Sequence, residues 1–321
     1  FRSDFVEYKW NRACSVDGQR MIGLVWDIGP ATLIYRRDIF EEAGLPTDPA
    51  EVDKLFSTWD GFLQAAEKVY IPGKRWIVPS ASYLYEWCWM NRDFYNNKLE
   101  LNVEKPGALE ALNAAITMRQ KGLDAQIDDM WSNEANAAFG SGAIATVAAG
   151  CWYGGFLKGW IAPDATGKWG VCHMPGGIST SNWGGSYLAI PSQSPHKDLA
   201  WEFIKFACAN ADSQNKMFEA VDYFPGYIPA WSSDIYSNED PYFAGEKTRE
   251  MWVEIAQNTL PTFATLMDSA AETAMQTAVR SGLNENKSAE EIIADMKSRI
   301  ENDTADDYEK MKELMEDAGL L

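Results

Sequence analysis

The chain has 321 residues, of which 46% are hydrophobic and 13% aromatic, and its formal net charge is −19. This length allows more than one hydrophobic core, because single cores stop growing at about 250–300 residues. A surface this acidic repels phosphate backbones and anionic membranes, which argues against nucleic-acid and lipid-surface binding. The sequence has no apolar run of about 18 residues, so it predicts no membrane-spanning helix.

Short strands alternate with helices along the chain, which predicts a layered α/β fold. Strands are predicted at 21–26, 75–79, 143–150, 167–174 and 186–191. Helices are predicted at 38–45, 59–70, from 82, and at 104–123, 132–142, 196–209, 241–258, 262–281 and 288–301. Pro106 is expected in a first helical turn, and Ser288 with Glu291 has capping-box spacing. The acidic tail 303–321 is expected to form a solvated terminal helix.

Several kinds of chemistry lack support in the sequence. The two histidines, His173 and His196, stand in no nucleophile motif, and the five cysteines form no C-x-x-C pair. No phosphate-binding glycine loop is present either. From these observations together, no metal, cofactor or nucleotide is predicted. Glycoside hydrolysis requires two carboxylates and therefore remains an alternative function.

Aromatic residues stand beside glycine at several predicted strand ends. The segments are VWDIGP (25–30), AAGCWYGG (148–155), SNWGGSY (181–187) and DYFPGYIP (222–229). Ligands bind at strand ends in open α/β sheets, and glycine lets the backbone approach them closely. A tryptophan there offers a flat face to the C–H side of a sugar ring. Each aromatic residue could equally belong to the core, but the repeated pattern favours a carbohydrate site.

Five segments, in this order, resemble family 1 extracellular solute-binding proteins of ABC importers, the group that includes maltose-binding protein. They are GLVWDIGPATLIYRRDIFEEAGL, STWDGFLQAAEKV, FGSGAIATVAAGCWYGGF, WGGSYLAIPSQSPHKDLAWEFIKF and TLPTFATLMDSAAETAMQTAVRSGLNENKSAEEIIADMKSRI. The resemblance extends from about residue 17 to residue 301. The family's opening strands and helices have no counterpart here, so we expect the domain to begin upstream of Phe1. Any export signal or lipid-bearing cysteine would then lie there too.

The resemblance implies a two-lobe, periplasmic-binding-protein-like (type II) α/β fold with a central cleft. Lobe 1 would comprise residues 1–27 and 186–260, and lobe 2 residues 28–185 and 261–302. Crossings would fall near Asp27–Pro30, Gly184–Ser186 and Leu260–Thr262. Closure on a solute would be a population shift driven by contacts to both lobes.

The resemblance also implies a set of ligand-binding residues, with Trp152 as the main ring-stacking candidate. The set is Trp26, Asp27, Tyr83, Tyr85, Glu86, Trp87, Trp152, Tyr153, Trp183, Gly185, Ser186 and Tyr227. Where some sugar binders carry an aromatic residue, this chain has Ala270 and Ala271. Four further tryptophans are expected on helices in the core: Trp59, Trp131, Trp201 and Trp252.

The function implied is that of a monomeric, extracytoplasmic binding protein, not an enzyme, that delivers a carbohydrate to ABC permease subunits. The high aromatic content favours an oligosaccharide over a monosaccharide as the ligand. A glycerol phosphodiester is an alternative solute and would require arginine or lysine in the cleft. A glycoside hydrolase is the alternative of a different class.

Overall fold

The structure, a computed structural model, describes residues 1–90, 94–105, 107–178 and 180–321. Its strands are β1 (Leu24–Val25), β2 (Asp27–Ile28), β3 (Ala31–Arg36), β4 (Thr146–Gly150), β5 (Trp169–Cys172), β6 (Tyr187–Leu188) and β7 (Phe224–Pro225). Its helices are α1 (Glu7–Arg12), α2 (Arg37–Glu42), α3 (Pro49–Phe56), α4 (Trp59–Val69), α5 (Ser82–Trp87), α6 (Ala108–Gln120), α7 (Asn133–Ser141), α8 (Tyr153–Phe156), α9 (Lys197–Cys208), α10 (Ala211–Val221), α11 (Thr248–Asn258), α12 (Asp268–Asn284), α13 (Ala289–Asp303) and α14 (Ala305–Asp317). The mixed α/β class is as predicted. The expectation for Pro106 lies outside the described residues.

The strands form one three-stranded sheet and two short pairs. In the larger sheet β3 lies between β4 and β5 and is antiparallel to both. All six residues of β3 are buried, as expected of a central strand covered on both faces. β1 pairs with β6 and β2 with β7, so 24–28 is joined to segments about 160–200 residues further along the chain. The lobe boundaries proposed above remain a prediction.

The C-terminal helices pack on one another and on α5 and α6. The capping box at the start of α13 is formed, with Ser288 and Glu291 each bonded to the other's backbone N–H. Gly282 of α12 packs so closely against Ile292 that a Cβ on this glycine would lie 2.3 Å from the Ile292 side chain. α14 was expected to be a solvated helix. It buries Met311 and Met315, so one of its faces belongs to the core.

Some elements differ from the sequence prediction. α3 begins where a loop was expected, because Asp48 caps it and Pro49 occupies its first turn, an arrangement common at helix starts. α10 was not predicted. The segment 75–79 makes only isolated bridges, such as Trp76 to Ile144. The helix predicted at 241–258 begins as α11, at Thr248. Within the described ranges, no helix has the length and apolar character of a bilayer span.

Candidate functional site

A cleft of about 580 Å³ lies where separate parts of the chain meet. Its lining comes from α1, from the segment 182–187, from α5 and its C-terminal flank, and from 264–276 at the start of α12. Such a volume is in the usual range of small-molecule pockets. The cleft adjoins the predicted crossing at Gly184–Ser186.

Five of the predicted ligand-binding residues line this cleft. They are Tyr83, Glu86, Trp87, Trp183 and Gly185. Three are aromatic; Trp183 is partly exposed, whereas Tyr83 and Trp87 are buried in the cleft wall. Glu86 supplies a carboxylate, so the lining combines an accessible aromatic ring with a hydrogen-bond acceptor. This is the combination that the sequence analysis associated with a sugar site.

Four other predicted residues, Trp26, Asp27, Ser186 and Tyr227, are not among the residues that line this cleft and make structural contacts. The buried Asp27 accepts a hydrogen bond from the Ser186 backbone N–H at 2.8 Å, which joins two of the predicted crossings. Burial raises the pKa of Asp27 despite this bond. Trp26 makes an edge contact with Tyr223, and the Tyr227 ring lies 5.3 Å from that of Phe5.

Two predicted aromatic residues are fully buried. Tyr85 donates from its hydroxyl to the backbone oxygen of Val103 at 2.9 Å, and Tyr153 packs edge-on against Phe139. Their rings are therefore part of the interior. Tyr153 supports the chain next to the partly buried Trp152.

Trp152 lies beside the cleft and supports its wall. Its indole N–H donates to the backbone oxygen of Trp183 at 3.0 Å. A Cβ on Gly150 would be 2.4 Å from the indole nitrogen, and one on Gly29 would be 2.7 Å from it. These two glycines, rather than Gly154 and Gly155, give the indole its room.

Trp131 was expected in the core on a helix, and this prediction was wrong. Its side chain is 47% exposed, and it precedes Ser132, the N-cap of α7. Its ring stacks on Trp152 at a centroid distance of 5.8 Å and an interplanar angle of 19°. The helix predicted at 132–142 already excluded Trp131, and Ser132 caps that helix, so the assignment of Trp131 to a helix conflicted with the predicted bounds. Of the other helical tryptophans, Trp59 and Trp252 are buried and Trp201 is partly buried.

The Glu86 carboxylate is held by three side chains. It accepts hydrogen bonds from Ser82 Oγ at 3.0 Å, from Gln276 Nε2 at 3.2 Å and from an Arg280 guanidinium nitrogen at 3.2 Å. Burial raises the pKa of Glu86, and the positive charge of Arg280 opposes this. The network fixes the carboxylate orientation at the cleft.

Charged residues also line the cleft from α1 and α12, and no sequence pattern predicted them. Lys9 Nζ donates to the backbone oxygen of Gly184 at 2.7 Å and lies 4.6 Å from the centre of the Tyr187 ring. Arg12 lies 3.7 Å from Asp268, which also accepts from the Thr265 hydroxyl at 2.7 Å. Neither stretch carries an aromatic–glycine signal, so only the tertiary fold brings them to the site.

Lys9 gives the protein a predictable pH dependence. Burial lowers its pKa from 10.5 to about 8, so between these values the unfolded chain binds the proton more tightly than the folded one. The contribution of Lys9 to the free energy of unfolding therefore increases as the pH rises above about 8. We expect wild type to gain about 1–2 kcal/mol relative to Lys9→Met between pH 7.5 and 9.5, measured by urea unfolding. Parallel pH profiles for the two proteins would contradict this assignment.

Known structures define the class of protein to which this fold and cleft belong. A crystal structure described as an extracellular solute-binding protein of family 1 matches with a TM-score of 0.77 and 28% identity. The match covers 94% of this chain and 77% of the other. The chain therefore has the two-lobe α/β fold of periplasmic-type binding proteins, as predicted.

The sequence model of the bacterial extracellular solute-binding proteins matches residues 7–245, and the chain belongs to this family. An arabinooligosaccharide-binding protein of Halalkalibacterium halodurans is 23% identical over 266 residues, 78% of this chain. A lactose-binding protein of Rhizobium radiobacter is 27% identical over 263 residues, 76% of this chain. The chain spans 58% of the length of each of these curated relatives.

Proposed function

We propose that this chain is the extracytoplasmic binding component of a carbohydrate ABC importer. It captures an oligosaccharide in the cleft and delivers it to the permease subunits. The observation that carries this proposal is the partly exposed ring of Trp183 in one cleft with the anchored carboxylate of Glu86, where Tyr83 and Trp87 are buried in the cleft wall. The Trp183 ring stacks on the C–H face of a sugar unit, and the polar groups bind the hydroxyls. The sugar-binding names of the two relatives support the same class of ligand.

Binding would close the two lobes on the ligand. We propose lobe 1 as 1–27 with 186–260 and lobe 2 as 28–185 with 261–302. Lys9 lies in the first and Glu86 in the second, and both line the cleft. A ligand that contacts both favours the closed population in proportion to its differential affinity for the two states.

A neutral solute fits the cleft better than an anionic one. Lys9 and Arg12 line it, but they already interact with Gly184 and with Asp268. Glu86 and Asp268 face the same space with a carboxylate each. An incoming phosphodiester would meet these carboxylates, which disfavours the glycerol phosphodiester alternative.

We propose that the protein binds its ligand without cleaving any bond. It would act as a monomer outside the cytoplasm, either anchored to the cell surface by a lipid or free in a periplasm. The test incubates the protein with a panel of neutral oligosaccharides and analyses them by chromatography. We expect saturable quenching of tryptophan fluorescence by one glycan class and full recovery of that glycan. Release of shorter products at a rate abolished by a single carboxylate substitution would identify a glycoside hydrolase instead.

We propose that Trp152 acts on affinity by holding Trp183. Trp152→Ala removes the hydrogen bond to the Trp183 backbone and leaves a void beside Gly29 and Gly150. The expected result is an affinity loss of about tenfold together with a loss of stability of about 2–4 kcal/mol, as for other large-to-small changes at partly buried aromatic sites. Titration and urea unfolding of the same variant measure both. A loss of stability with unchanged affinity would assign Trp152 to the core alone.

A further inference from the structure

We infer that an aromatic shelf outside the cleft binds a further sugar unit of an oligosaccharide whose other end occupies the cleft. The aromatic shelf consists of Trp131, Trp152, Phe156 and Trp160. This inference rests on the proposed function and extends it, because it assigns a second stacking surface and a preference for longer glycans.

The aromatic shelf is continuous with the cleft. Trp183 lines the cleft, and its ring lies 6.1 Å from that of Trp131 and 5.6 Å from that of Trp152. Met130, which precedes Trp131 in the chain, lines the cleft as well. A glycan that leaves the cleft past Trp183 therefore meets Trp131 next.

Trp131 is held with one ring face covered. The parallel stack on Trp152 occupies that face, yet 47% of the residue remains exposed. Its backbone N–H donates to Asp129 Oδ1 at 2.9 Å, and the Ser132 hydroxyl donates to the Asp129 backbone oxygen at 2.7 Å. The ring is thus preorganised, which lowers the entropy cost of stacking a ligand on it.

The row of rings continues away from the cleft. The Phe156 ring lies 5.7 Å from that of Trp152, and the Trp160 ring lies 6.1 Å from that of Phe156. Trp160 is 57% exposed on the π-helical turn Leu157–Ile161. A role in the core does not explain two tryptophans, each in contact with Phe156, that have about half of their surface in water, since exposed apolar patches mark binding surfaces.

A sugar unit is the occupant that this geometry favours. The shelf presents flat aromatic faces in sequence, joined to a cleft that already carries rings and hydrogen-bonding groups. Stacked aromatic contacts add roughly 0.5–1.5 kcal/mol each, which corresponds to about a two- to tenfold change in affinity. Trp131 would stack on the ligand, whereas Trp152 and Phe156 are positioning residues beneath the exposed rings.

The test is a calorimetric titration with oligosaccharides of one linkage, from the disaccharide to the hexasaccharide. It compares wild type with Trp131→Ala, Trp160→Ala and Trp131→Phe, and with the control Phe206→Ala, an exposed aromatic residue on α9. Wild-type affinity should rise with chain length. Trp131→Ala should weaken the longest glycans about two- to tenfold and leave the shortest bound ligand unchanged. Trp131→Phe should retain part of the gain, and the control should match wild type.

Equal losses at every glycan length, or no loss at any length, would overturn the inference while the proposed function stands. So would a wild-type affinity that does not depend on length. A change in molecular mass on Trp131→Ala, measured by light scattering, would show that the shelf is instead a contact between two copies of the chain. If wild type binds no glycan at all, the proposed function fails and this inference fails with it.

Discussion

Gly185→Ala is expected to reduce the free energy of unfolding by about 3 kcal/mol or more, from a backbone clash and an unfavourable φ together. Gly185 has φ +88°, a conformation that L side chains rarely adopt. An added Cβ would lie 2.5 Å from the Asp27 backbone oxygen and 2.9 Å from both Ile28 Cα and Lys9 Nζ. Two of these atoms belong to the backbone of β2, which cannot move without breaking its pairing with β7. Urea unfolding monitored by tryptophan fluorescence measures the loss.

The neighbouring glycine provides a matched control for this prediction. Gly184 has φ +77°, but a Cβ there would meet nothing closer than the Trp152 indole at 3.6 Å. Gly184→Ala therefore carries the cost of the backbone conformation alone, about 1–2 kcal/mol. The difference in free energy of unfolding between the two variants gives the cost of the steric clash at residue 185. Equal losses of stability in both would show that Gly185 is required only for its φ.

Glu86→Gln is expected to weaken glycan binding by roughly 30-fold, because hydrogen bonds to a charged group contribute about 1.5–3 kcal/mol. The carboxylate lies at the cleft and accepts from Ser82, Gln276 and Arg280. The amide keeps the shape but loses the negative charge. It also leaves Arg280, whose side chain is 30% exposed, without its ion-pair partner. Calorimetric titration of the best glycan against both proteins measures the change.

Glu104→Gln is a suitable control because Glu104 also forms an ion pair, with Lys297, but on the exposed surface. Surface ion pairs contribute little, so this variant should bind as wild type does. The double variant Glu86→Gln with Arg280→Met tests the coupling. If Glu86 acts through its ion pair, the two effects should be strongly non-additive. An unchanged affinity in Glu86→Gln would remove this carboxylate from the proposed site.

Local signals in the sequence were sufficient for many elements of the fold. Thr58 caps α4, and Ser288 with Glu291 forms the capping box of α13. The alternation of short apolar runs and helices indicated the α/β class, and the order of five segments indicated the family. The caps and the periodicity depend on residues a few positions apart, so they can be recognised without knowledge of the tertiary structure.

The cleft was only partly predictable, because its parts are distant in sequence. Tyr83, Glu86 and Trp183 were identified from the resemblance, but Lys9 and Asp268 meet at the cleft from opposite ends of the chain. No local pattern connects two residues so far apart. Trp131 was misassigned to the core because a tryptophan next to a predicted helix resembles a core residue, although the predicted helix 132–142 did not include it. Tertiary packing thus decided which aromatic side chains remained exposed.

Isothermal titration calorimetry of the protein with a panel of neutral oligosaccharides tests the central claim most directly. The account predicts saturable one-to-one binding of one glycan class, recovery of that glycan intact, and a sharp loss of affinity in Trp183→Ala, whose ring lines the cleft. Anionic glycans and phosphodiesters should bind more weakly. Binding of no oligosaccharide, or equally tight binding by Trp183→Ala, would contradict the proposal that this cleft is a carbohydrate-binding site.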